Sequence, residues 1–273
     1  MLARTAFKNP DFQKQIEADG FFTTPLLGKD QVEECNRLYY DTQASLDDKF
    51  YNTLASPDLE YRRKVQHGLD KILNKKIKEF FYEYEPLAYN FAAKSSGEGS
   101  ECKLHCDDIH ADESIHLCVN IWIPLVDVDD GNGSLQILPK SHTLPPHIRG
   151  IGLPFAYEHL TALIAPQMYT LKMKAGEALF FNPQLIHGSE INKTDSDRPA
   201  IILAMLPAEA QPLTYVRTTK VGKAMVTLFE TPTAFFLESF IGEIPQGFKT
   251  LKSFEYEPLK ISAEEFTEIM KRT

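Results

Sequence analysis

Near residue 85 the chain changes period, and that change limits what it can fold into. From there to Pro207 the apolar residues come in short runs. These are Leu87 to Ala93, Cys102 to Asp107, His116 to Leu125, Ser134 to Leu138, Tyr169 to Met173, Ala178 to Phe181 and Ala200 to Pro207. Gly, Pro, Asn or Asp punctuates most of them. Short alternating or continuous apolar runs bounded by turn residues are strands. Many of them in series predict a β-sandwich or a jelly roll.

The first third keeps a helical period. Asn9-Pro10 followed by Asp11 to Ala18 reads as a capped short helix stopping at Gly20. Gly28 to Ser45 carries Val32, Cys35, Leu38 and Tyr39 on one helical face, and Tyr61 to Tyr84 continues with Leu69, Ile72, Leu73 and Ile77. The Phe- and Pro-rich C-terminus ends in a helical stretch, Ala263 to Lys271, expected to return against the β core. The six residues Ser95 to Ser100 read as a hairpin loop rather than a linker. With no repeat or low-complexity tract, 273 residues are expected to form one domain: helices over about 9–84, a β core over about 85–220 and a C-terminal segment, 221–273.

A formal charge of -9 argues against nonspecific nucleic-acid binding, and no Lys/Arg stripe interleaved with aromatics appears. The N-terminus lacks a signal-like apolar run, and stretches such as Ala200 to Leu206 are too short to span a bilayer. A cytoplasmic protein acting on a small molecule, without nucleic-acid or membrane partners, is expected; oligomeric state is not legible. Cys35, Cys102, Cys106 and Cys118 contain no CxxC knuckle and read as buried reduced thiols rather than zinc ligands. The acidic run Asp127 to Asp130 lacks EF-hand spacing and reads as a solvated hairpin turn.

The chemistry-bearing residues are His105-Cys106-Asp107, then His187, then Arg198. Two imidazoles and one carboxylate form the facial triad that holds non-haem Fe(II) and leaves positions open for oxygen and a cosubstrate. Alternate residues of a strand share a face, so His105 and Asp107 project together while Cys106 points into packing. His187 follows a strand and precedes Gly188, which lets the imidazole approach a metal closely. Arg198, eleven residues on, offers a bidentate cation for the far carboxylate of a 2-oxo acid. A second H-x-D, His110-Ala111-Asp112, competes with the first, and spacing alone does not choose between them.

Six motifs in order resemble the phytanoyl-CoA dioxygenase family of Fe(II)/2-oxoglutarate oxygenases. They are Ile16 to Phe22, with its Asp-Gly-Phe; Leu104 to Asp107; Val119 to Leu125, with Trp122; Gly131 to His142; Gly176-Glu177; and His187-Gly188-Ser189 with Asn192 and Arg198-Pro199. The resemblance covers most of the chain. It implies a mainly β fold with flanking helices, a double-stranded β-helix of cupin-like jelly-roll type. It selects His105 and Asp107 over His110 and Asp112, by their distance from Trp122. It further implies that Arg198 pairs with the cosubstrate, that Ser189 hydrogen-bonds it and that Trp122 lines its side of the pocket. Lys140 stands where the family has Gly before Ser-His, so that turn is expected to differ. Halogenating relatives carry Gly or Ala at position 107, so Asp107 argues against halogenation.

The implied cofactors are Fe(II), 2-oxoglutarate as cosubstrate and O2. The implied reaction is oxidation of an unactivated C–H bond, by default hydroxylation, with release of succinate and CO2. The loop after Asp107, the connection from Thr143 to Ala165 and the C-terminal segment are expected to wall the substrate pocket. Arg149, Lys94, His110, His116 and Gln184 are its polar candidates, and His142 and His147 are expected to be structural or solvent-facing. Without an extended basic patch for coenzyme A phosphates, a small polar metabolite or natural-product intermediate is favoured over an acyl-CoA. The rival readings are a cupin-type metal enzyme that does not use 2-oxoglutarate and a noncatalytic binding protein on the same fold.

Overall fold

The computed structural model describes residues 4–42, 49–220, 222–239 and 242–272. Helix α1 (Pro10–Asp19) starts where the Asn9 side chain accepts from the Asp11 N–H, and it ends at Gly20, whose φ of 84° suits a residue without Cβ. Strand β1 (Phe21–Pro25) leads to α2 (Lys29–Thr42). The end of the helix expected to reach Ser45 lies outside the described residues. Strand β2 (Phe50–Asn52) precedes α3 (Leu59–Lys78), which Asp58 caps by accepting from the Tyr61 N–H. The helix expected to run to Tyr84 stops at Lys78, and Tyr84 instead opens β3 (Tyr84–Lys94). The switch comes at Glu83, whose φ of 46° reverses the chain.

Seven further elements complete the core. They are β4 (Cys102–His105), β5 (Val119–Pro124), β6 (Leu135–Ile137), α4 (Thr161–Ile164), β7 (Tyr169–Thr170), β8 (Glu177–Phe181) and β9 (His187–Ser189). Strand β10 (Arg198–Pro207) runs through the middle of the larger sheet. That sheet has the order β1-β8-β5-β10-β3-β2 and the smaller one β4-β9-β6-β7, all pairs antiparallel. Trp122, Leu179, Phe181 and Ala200 of the larger sheet share an apolar cluster with Ile137 of the smaller one, so the two sheets enclose a common interior. This is the expected jelly roll.

On its other face the larger sheet is covered by the N-terminal helices. Val65, Leu69, Leu73 and Ile77 of α3 recur at helical spacing and are fully buried with Tyr89, Phe91, Ile121 and Ile201. Phe22 stacks on Phe180 at 4.8 Å between ring centres. Burying an aromatic ring of this size stabilises the fold by about 1.5–3 kcal/mol.

Two connections differ from the expected hairpins. Ser95 to Ser100 carries the chain from β3 in the larger sheet to β4 in the smaller, and Asp127 to Gly133 does so from β5 to β6. The sequence reading also has no counterpart for a third sheet, β11 (Leu213–Lys220), β12 (Lys223–Glu230) and β13 (Lys249–Glu255) in that order. Between its last two strands sits the short helix α5 (Phe235–Glu238). The terminal helix α6 (Ala263–Arg272) returns as expected, burying Phe266 against Leu138, Tyr157 and Ile186.

Candidate active site

Strands β4 and β9 pair so that His105 and His187 lie directly opposite, with ring centres 4.1 Å apart. Each ring is oriented by a carbonyl two residues before it: Nδ1 of His105 lies 2.8 Å from the Lys103 oxygen, and Nδ1 of His187 lies 2.9 Å from that of Leu185. A carbonyl only accepts, so Nδ1 carries a hydrogen and Nε2 is left as the atom a metal would take. Both Nε2 atoms face Asp107, at 3.6 Å from Oδ1 and 3.5 Å from Oδ2. Asp107 lies past the end of β4, where its N–H donates to Pro183, so the loop and not strand alternation aims it. Among the described residues, His105, Asp107 and His187 bring ligand atoms within 4.8 Å of one another. Two imidazole nitrogens and one carboxylate fit a divalent iron centre with open positions.

Gly188 has a different reason from the expected one. A Cβ there would lie 2.9 Å from the Cys102 carbonyl oxygen and 3.0 Å from Leu104. The glycine lets β4 and β9 approach, and that approach sets the two histidines face to face.

Two residues whose link to this group the sequence did not show support it. Asn120, on β5, donates from Nδ2 to Oδ2 of Asp107 at 2.6 Å. Arg149 donates from Nε to the Asp107 backbone oxygen at 2.7 Å and from Nη2 to both oxygens of Glu113. Burial alone would raise the Asp107 pKa, but His187, His105 and Asn120 outweigh it and hold the carboxyl well below its ordinary value. Burial also works against charge on His105, yet Asp107 and Cys102 prevail and raise its pKa well above 6.5. Burial and then His105 push His187 down to about 4.

Arg198 opens β10 and is 2% exposed. Its Nε and Nη1 have no hydrogen-bond partner, and burial pushes its pKa down to about 10. Its guanidinium carbon stands 5.4 Å from the centre of the Trp122 ring, itself 2% exposed. Cys102 stands beside the triad, its Sγ 3.9 Å from Nδ1 of His105. Ser189 is buried, pairs with Cys102 across the strands, and its hydroxyl makes no hydrogen bond among the described residues.

A cavity of about 480 Å³ opens on the other side of the triad. It is walled by residues 105–110, by Gly150 to Gly152, by the inner face of β3, β5 and β10, and by Tyr215 and Phe236. Of the expected polar candidates, His110 alone lines it. Arg149 is held by Glu113 and Asp107. Lys94 donates to the carbonyls of Ser189 and Glu190, and Gln184 to those of His142 and Leu144. His116 lies outside the wall. Asp112 accepts from Ser114 N–H and Oγ–H, so the second H-x-D is divided between a cavity wall and a turn. His142 faces the Glu17 carbonyl and His147 packs edge-on against Tyr157.

Two facing antiparallel sheets with a His/Asp/His group at the mouth of their shared interior define a jelly-roll metal-site protein. A family model described as phytanoyl-CoA dioxygenase matches residues 11–200, and the chain belongs to that family. The mouse peroxisomal phytanoyl-CoA dioxygenase is 36% identical over 93 residues, covering 32% of this chain and 27% of that protein. Dioxygenase sphC of Aspergillus fumigatus is 30% identical over 99 residues, 34% of this chain and 24% of that protein. The matches thus span about a quarter of those relatives' length. Among solved structures, the 2-oxoglutarate-dependent epimerase SnoN from nogalamycin biosynthesis superimposes with a TM-score of 0.54 at 17% identity, covering 92% of this chain and 94% of that one. HygX of Streptomyces hygroscopicus, solved with nickel, 2-oxoglutarate and hygromycin B, gives 0.53 at 17% identity over 74% and 88%. At such identities the likeness carries the fold alone. No helix among the described residues is long and apolar enough to cross a membrane.

Proposed function

We propose that this chain is an Fe(II)- and 2-oxoglutarate-dependent oxygenase that oxidises a C–H bond of a small molecule, by hydroxylation, and releases succinate and CO2. His105, Asp107 and His187 hold the iron. Arg198 and Ser189 bind the far carboxylate of 2-oxoglutarate, and Trp122 flanks it. Arg198 is the observation that carries the reading. A guanidinium at 2% exposure with two unpartnered N–H groups is costly unless an anion joins it, and no carboxylate of the described residues does. A cupin-type metal enzyme or a plain binding protein has no need of that cation.

Iron with 2-oxoglutarate supplies, when bound, the oxidant for an unactivated C–H bond. The chain's own residues prepare the place. The carbonyls of Lys103 and Leu185 fix both imidazole tautomers, and Asn120 and Arg149 hold Asp107 by side chain and backbone. Burial of His187, Trp122 and Arg198 keeps water from the cosubstrate side. The cavity beyond His105 and Asp107 gives the substrate its approach.

The test is consumption of 2-oxoglutarate by the iron-loaded protein in air, followed as succinate. Slow release without substrate is expected from wild type, with at least about a tenfold loss in Arg198→Met and in His187→Ala. Succinate release unaffected by Arg198→Met would contradict the assignment.

A further inference from the structure

The cavity beside the triad has an unusual balance of polar groups. Among the described residues, no Lys or Arg lines it. The nearest cation, Arg149, already meets both carboxylate oxygens of Glu113. Asp108 does line it, partly buried, with no ion pair and no hydrogen bond among the described residues. Asn90 and Asn120 line it too, each 4% exposed, and the side-chain oxygen of each is buried without a partner. Their orientation follows from chemistry. The amide nitrogen of Asn90 lies 2.9 Å from the Ile202 carbonyl, and that of Asn120 lies 2.6 Å from the Asp107 carboxylate. Both partners only accept, so both amides must present their oxygens elsewhere.

The wall is therefore rich in acceptors and holds one uncompensated negative charge. The wall also carries apolar side chains, among them Leu54, Ile109, Ile151 and Phe236. Charge balance at the metal points the same way, and this step rests on the oxygenase reading. A divalent ion, Asp107, Arg198 and a dianionic cosubstrate cancel, which leaves Asp108 unpaired. A partly buried carboxylate without a counter-ion and orphaned amide oxygens are costly unless a donor-rich cation joins them. An ammonium offers three donors and no acceptor. An acyl-CoA, which brings phosphates, would meet no Lys or Arg among the described lining residues.

We propose that the substrate is a small molecule carrying a protonated amine on an apolar framework, with the ammonium held by Asp108 and the free amide oxygen of Asn90. Asp108 is then a specificity-determining residue, and the apolar wall receives the framework whose C–H bond faces the metal.

Three probes of one shape test this: cyclohexylamine, cyclohexanol and cyclohexanecarboxylate, titrated calorimetrically into the full chain near neutral pH. The titration is run metal-free and again with Fe(II) and 2-oxoglutarate under anaerobic conditions. The amine is expected to bind at least about tenfold more tightly than the alcohol, and the carboxylate least of all. Asp108→Asn should abolish the preference for the amine, whereas Asp108→Glu, which keeps the charge, should retain it. Thermal melts of both variants show that they fold. The proposal is overturned by equal or undetectable binding of the three probes, by tighter binding of the carboxylate, or by an amine preference that survives Asp108→Asn. The metal-free titration separates this from the oxygenase reading. An amine preference without any response to 2-oxoglutarate removes only the latter, and a 2-oxoglutarate response without the preference removes only the former.

Discussion

Asn120 donates its amide N–H to Oδ2 of Asp107 at 2.6 Å, the oxygen that also faces Nε2 of His187 at 3.5 Å. One carboxylate oxygen is thus pinned from the larger sheet and the other turns towards His105. Partners of this kind orient a metal ligand, and their loss typically weakens metal affinity about 10- to 100-fold. Asn120→Ala should show that loss in an anaerobic Fe(II) titration. Wild-type affinity in the variant would mean that the loop after β4 aims Asp107 unaided.

Arg198 should trade stability for binding. With two buried nitrogens unpartnered and no carboxylate of the described residues beside it, the guanidinium destabilises the metal-free fold. Arg198→Met should raise the unfolding free energy of the metal-free protein by on the order of 1–2 kcal/mol while 2-oxoglutarate binding is lost. Urea unfolding and a 2-oxoglutarate titration measure the two effects. A variant less stable than wild type would show that Arg198 is satisfied without the cosubstrate.

Lys140 occupies a turn that the family pattern fills with glycine. Lys140 adopts φ 67°, a left-handed conformation, and its N–H reaches the Asp19 carbonyl at 2.8 Å. A side chain in the left-handed region costs about 1–2 kcal/mol, partly offset by the greater freedom of glycine when unfolded. Lys140→Gly should therefore stabilise the protein by roughly 0.5–1 kcal/mol in urea unfolding. A loss of stability would mean that contacts of the Lys140 side chain outweigh the strain.

Acid should destabilise the fold through two histidines outside the triad. Burial pushes His110 down to about 4, and burial followed by Arg149 does the same to His147. Their folded pKa values lie below the unfolded value of about 6.5, so on acidification the unfolded chain takes up protons first. Stability is full above the unfolded value and falls as pH drops from there towards 4. Each ring contributes up to about 3 kcal/mol over that window. Urea unfolding across it should give a shallower pH dependence for His147→Gln than for wild type. Parallel curves would count against a neutral, buried His147.

Much of the fold was legible because period is local. The i, i+4 rows of α3 and the short runs of the core depend on neighbours in sequence, and both appear nearly where expected. What failed was the join, where Glu83 turns helix into strand. The third sheet alternates recognisably over Leu213 to Glu230, but its first strand fell inside the expected β core and the other two inside the C-terminal segment. Of the candidate site, His105, Asp107 and His187 stood out by residue type and order, and the register of β4 against β9 brings them together. The roles of Asn120 and Arg149 were not legible. Their contacts with Asp107 join positions 13 and 42 residues apart, and only the folded sheets create them. Arg149 and Lys94, expected to meet substrate, turn inward because each finds acceptors in the protein itself.

The central claim is that iron and 2-oxoglutarate meet at His105, Asp107, His187 and Arg198. Its most direct test is an anaerobic addition of 2-oxoglutarate to the Fe(II)-loaded protein, watching for the weak visible charge-transfer band of a chelated 2-oxo acid. That band is expected in wild type, with its loss in His187→Ala and Asp107→Ala and a far higher 2-oxoglutarate requirement in Arg198→Met. A folded, iron-bound wild type that shows no band at saturating 2-oxoglutarate would contradict it.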